Sequence, residues 1–221
     1  MTTEQRLRSL PEIIRNVDNL YEGDLIHYFR IVFFQAKNLN NPYHNFRHLT
    51  HITWLCYQAC LFYEKELSAW QMRNLLMAAL FHDYGHSGVF GRDDLNIAIA
   101  ITSLKKCVLA KDRHSLPEIF YLIRASEYPR PIPPEKLELG AQILCDADLS
   151  QVLSKAWLQQ NIFGLAKESG KSPLEMIKRQ IFFLKKMKFA TAWAQQTFPP
   201  EMIREKVRET EALLQILSDQ N

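Results

Sequence analysis

A chain of 221 residues with a formal net charge of +3 can bury a sizeable core within one domain of the larger kind, and with no long Lys/Arg run it excludes a nucleic-acid footprint. No apolar stretch reaches the about 18 residues of a membrane span, and the polar segment after Met1 lacks the apolar stretch of a signal peptide, so no membrane partner and a cytoplasmic location are expected. Cys56, Cys60, Cys107 and Cys145 lack C-x-x-C spacing and three sit in apolar helical stretches, which favours buried free thiols over disulfides or a zinc knuckle.

The hydrophobic period is helical nearly everywhere and strand-like alternation is sparse. The predicted fold is therefore all-α, a compact multi-helix bundle forming one domain over residues 1–221. Pro and Gly clusters at 38–42, 85–91, 129–134, 170–173 and Pro199-Pro200 each separate two helices. The stretch 20–37 supplies early helical support. After the first break comes Tyr43-His44-Asn45-Phe46-Arg47-His48. His44, His48 and His51 stand at i, i+4 and i+7, along one edge of a helix starting near Asn45 and beside the apolar stripe Leu49, Ile52, Cys56, Ala59, Cys60 and Tyr63. His51 reads equally well as a supporting or a surface residue.

The apolar run 75–81 ends in His82-Asp83-Tyr84-Gly85-His86, where buried charge is costly unless paired or metal-bound. Five of the seven histidines lie between His44 and His86. An isolated acid follows much later in Ala147-Asp148-Leu149-Ser150. Further on, Gln180 and Phe183 share a helical stretch, Lys185-Lys186-Met187-Lys188 reads as a solvated face, and Ile203, Val207, Thr210, Leu214 and Leu217 form a last core-facing stripe. Two imidazoles with two carboxylates suit a borderline divalent metal, and metal-activated water points to phosphate-ester hydrolysis.

At these residues the chain resembles the HD-domain metal-dependent phosphohydrolases, and within them the catalytic domain of the cyclic-nucleotide phosphodiesterases, over about residues 41–193. The resemblance implies a metal set of His48, His82, Asp83 and Asp148, with two divalent ions (Mg, Mn, Fe or Zn), Asp83 bridging them, and a bridging hydroxide attacking phosphorus. It makes His44 the general acid on the leaving oxygen and puts His86 beside the second metal. It also implies a purine contact from Gln180, stacking by Phe183, and a base contact from Gln151 in place of an Asn. The implied substrate is a small phosphate ester, a 3′,5′-cyclic nucleotide; the alternatives are an HD phosphohydrolase of nucleotides or other small phosphates, and a non-catalytic signalling module.

The chain departs from the family string at Ser87, where a Pro is usual, and at His51-Ile52, where an Asp is missing. The Glu that assists the bridging hydroxide in the family would fall near Leu95-Asn96, so its role is vacant or passes to Asp93 or Asp94. Ser126 stands for a Thr near the metal waters.

Overall fold

The computed structural model describes residues 11–89 and 91–218. Among them are eleven α-helices and no strand, as the helical hydrophobic period predicts. The expectations for the Met1 segment, and the two ends of the single domain read over 1–221, lie outside the described residues.

Helix α1 spans Glu12–Arg15, α2 Ile26–Gln35, α3 Phe46–Phe62, α4 Ala69–Phe81, α5 Asp93–Cys107 and α6 Leu116–Ala125. Then come α7 Leu139–Ser150, a π-helical segment Leu158–Gly164, α8 Leu165–Glu168, α9 Pro173–Lys186, α10 Ala192–Thr197 and α11 Pro200–Ser218. Every Pro/Gly break predicted from the sequence separates two of these helices, with Pro173 and Pro200 serving as the first residue of the helix that follows.

Helix α4 is the axis of the bundle. Every residue from Met72 to Phe81 is buried, the pattern of a helix surrounded on all sides rather than amphipathic. It packs against α2, α3, α6 and α7. Its start is set by a capping box in which Ser68 accepts from the Gln71 amide while Gln71 reaches back, satisfying two of the donors a helix leaves open. Of the two polar residues in the run, Arg73 pairs with Asp112 at 3.1 Å and donates to the Glu22 and Asp24 carbonyls, while Asn74 donates to Glu118 at 2.8 Å and keeps a buried Oδ1 without a partner among the described residues.

The α3 stripe from Leu49 to Tyr63 is buried against this axis, as predicted. The last stripe is shallower. Of its members Thr210 is fully buried, Ile203, Val207 and Leu214 are half-buried, and Leu217 is exposed, because α11 covers one face of α9 and the stripe outruns it. Ile162, Ala166, Met176 and Ile177 form a small second core between the π-helical segment and α9. All four thiols are free, with Cys107 half-buried and the other three buried. Lys185, Lys186 and Lys188 are exposed. No described helix is long and apolar enough to cross a membrane.

Candidate metal centre

Three elements end at one place. Helix α3 begins at Phe46 because Asn45 caps it, accepting from the Arg47 and His48 amides at 3.0 and 3.2 Å; this puts His48 in the first turn, facing inward. Helix α4 stops at Phe81, and His82-Asp83 follow in a turn at its C-terminal end. Asp148 comes from the last turn of α7. The turn after Asp83 needs Gly85, whose φ of +75° suits glycine and whose added Cβ would lie 2.8 Å from Ile99.

Ligand atoms of His48, His82 and Asp148 all lie within 4.8 Å of one another. Asp83 Oδ2 is 3.1 Å from both His48 Nε2 and His82 Nε2. His48 Nε2 is 3.4 Å from Asp148 Oδ1 and 3.3 Å from His82 Nε2. Ligands about 2.1 Å from a shared ion stand about 3.0–3.4 Å apart at octahedral or tetrahedral positions, so this spacing fits one divalent ion. The tautomer fits as well: His82 Nδ1 donates to the Ala79 carbonyl at 2.8 Å, which leaves the Nε2 lone pair aimed at His48 and able to ligate. His48 lacks such an outer partner, its Nδ1 being buried without one among the described residues.

The electrostatics of the four residues call for positive charge. Burial opposes a charge on His48, but Asp148 and Asp83 outweigh it and hold the ring up at about 10. Burial likewise opposes charge on Asp83, and His82, His44 and His48 overcome it, keeping that carboxyl well below the usual range.

A second group of possible ligands, His44, His86 and Glu168, adjoins the first. Glu168 Oε2 accepts the Tyr43 and His44 amides at 2.9 and 3.1 Å, and Oε1 accepts from His44 Nδ1. The His44 and His86 rings stack with centroids 3.7 Å apart. His86 Nδ1 accepts the Gly88 amide at 3.0 Å; burial, then the neighbouring His44, pushes this ring down to about 4, so it is neutral at physiological pH.

Several supporting residues carry no signal in the sequence. Asn38, which reads there only as part of a break, is buried and donates to the His44 and Asp83 carbonyls at 2.8 and 2.9 Å while accepting from Gly85. Asn41 donates to the His86 carbonyl at 2.9 Å. Four asparagines between Asn38 and Asn45 are the one hint available. Glu168 is separated from His44 by 124 residues and looks in sequence like any helical acid. It arrives because Gly164 lets the π-helical segment meet the 42–44 loop: an added Cβ there would lie 2.7 Å from the Pro42 carbonyl.

Other predicted residues lie as follows. His51 stacks on the exposed Trp54 at 6.2 Å and belongs to neither group of possible ligands. Arg47 is exposed. Ser126 donates its hydroxyl proton to the Ile123 carbonyl. Asp93 lies 4.0 Å from His86 Nε2, whereas Asp94 is exposed beside Arg92. Gln151 is buried in the turn after α7 and Gln180 on α9; Gln151 Oε1 and Gln180 Nε2 have no partner among the described residues. Phe183 is half-buried against the main core. No family model and no curated protein matches the chain.

Proposed function

We propose that this chain is a metal-dependent phosphohydrolase of the HD type, most similar in its site to the cyclic-nucleotide phosphodiesterases. The observation that carries the reading is the meeting of His48, His82, Asp83 and Asp148, with His48 3.1–3.4 Å from each of the other three and Asp83 3.1 Å from His82. These four would hold one divalent ion, and His44, His86 and Glu168 are placed to hold a second. A bound divalent ion supplies water acidified from about 15.7 to about 7 and neutralises phosphoryl charge.

The protein's own groups supply the rest. His44, with Nδ1 given to Glu168, keeps Nε2 for the proton that the leaving oxygen needs. Such a transfer contributes about 10² to 10⁴ in rate. Glu168 stays ionised and so keeps orienting the ring. Burial would raise its carboxyl, but bonds from His44 and the 43–44 amides bring it below its ordinary value. His86, neutral and stacked on His44, holds that ring flat without competing for the proton. The open amide donor of Gln180 and the face of Phe183 are the proposed purine contacts, with Gln151 beside Asp148 as a further polar contact.

The test is a substrate panel on protein of known metal content: 3′,5′-cyclic nucleotides, linear nucleotides and bis-nitrophenyl phosphate, with Mg, Mn, Fe and Zn. Cyclic-nucleotide turnover is expected. Gln180→Ala and Phe183→Ala should then weaken it while sparing the base-free diester, since only the nucleotide has a remote group to lose. Parallel losses on both substrates would make the two residues packing residues. Metal loading with turnover of linear phosphates alone would move the chain to the general HD phosphohydrolases.

A further inference from the structure

Arg130 stands beside the metal cluster with its guanidinium only partly bonded: it lies against the Cys145 thiol and has one donor buried without a partner among the described residues. Its side chain is 10% exposed. Nη2 donates to the Cys145 carbonyl at 3.2 Å, and the same nitrogen is 3.9 Å from Asp148 Oδ2, too far for a hydrogen bond. Nε is buried and has no partner among the described residues.

A guanidinium carries five N–H donors and keeps its charge. Burying one with a donor left unbonded is costly unless something else completes the set. The nearby Asp146 cannot do so, because its carboxylate is taken by the Ala190 and Thr191 amides and the Thr191 hydroxyl at 2.7–3.1 Å. Asp148 is the most exposed of the four proposed ligands; it turns Oδ1 to His48 and leaves Oδ2 on the Arg130 side. The loop carrying Arg130 is anchored where the Tyr128 amide donates to Asp93 Oδ2 at 2.6 Å.

We propose that Arg130 is a substrate-binding residue that takes the non-bridging oxygens of the phosphoryl group, as a planar two-pronged donor matched to that anion. This rests on the phosphohydrolase reading above. It makes the phosphoryl group, rather than the base, the part of the ligand common to every substrate of the site.

Inorganic phosphate titrated calorimetrically into the metal-loaded full chain, with metal affinity measured separately, tests the proposal. Arg130→Gln should weaken phosphate binding about ten- to a hundredfold and raise KM while leaving metal affinity within about twofold. Arg130→Lys, which keeps the charge without the fork, should fall between and serves if Arg130→Gln does not fold. Unchanged phosphate affinity in folded variants would overturn the proposal. So would a loss of metal affinity that accounts for the phosphate effect, which would make Arg130 a positioning residue for Asp148. If the wild type binds phosphate through Arg130 but hydrolyses no ester, the anion site stands and the enzymatic reading falls.

Discussion

At the His44–Glu168 pair the proposed chemistry comes down to one proton on one side chain. If His44 gives a proton to the leaving oxygen without holding metal, His44→Ala keeps its metal and loses about 10² to 10⁴ in rate, and the loss shrinks on a nitrophenyl ester, whose leaving group needs no proton. Equal losses on good and poor leaving groups would show that His44 positions or ligates instead. Glu168→Gln keeps the shape but not the charge that orients the ring, so a smaller loss of about ten- to a hundredfold is expected, with the same dependence on leaving group. Asn38 fixes the backbones of His44 and Asp83 together. Asn38→Ala should therefore lower both metal affinity and rate, and a variant with only one of the two effects would contradict its place between the strings.

The helices set these distances, and α4 sets the helices. Its buried Arg73–Asp112 pair ties the axis to the segment before α2 and to the turn before α6, with Tyr28 donating to Asp112 at 2.5 Å. Burial would raise the Asp112 carboxyl, but the bonds from Arg73 and Tyr28 prevail and lower it. A carboxyl lowered by folding stabilises above its unfolded value of about 3.9 and loses that contribution as pH falls through the folded value. Wild-type stability measured by denaturant titration should thus decline on acidification below about pH 4, and Asp112→Asn should flatten that decline while costing about 3–5 kcal/mol at neutral pH, since it leaves Arg73 buried without its charge partner. An unaltered acid limb in Asp112→Asn would remove Asp112 from the account. Helix α4 is legible in the sequence because an unbroken apolar run ending in His-Asp has few other physical explanations. The π-helical segment and α8 are not, because what matters there is the absence of a side chain at Gly164 and a contact reaching across 124 residues, which no local period records.

Across the whole molecule, the proposed metal ligands stand out in the sequence because their chemistry is unusual where it occurs: charge at the end of a buried run, and histidines crowded into two short strings. Asn38, Asn41, Glu168 and Arg130 do not stand out, because their types are ordinary and their meaning depends on what folds against them. Residues from α3, the end of α4 and α7 meet only when the bundle is assembled, so the site and the fold stand together. The assignment on which all of this depends is that of His48, His82, Asp83 and Asp148 to a divalent ion. Its most direct test is the equilibrium metal affinity of the wild type and of Asp83→Asn, with helicity checked by circular dichroism. Stoichiometric binding by the wild type and at least about hundredfold weaker binding by a folded Asp83→Asn are expected; equal affinity in the two proteins, or a folded wild type that binds no divalent metal, would overturn the assignment.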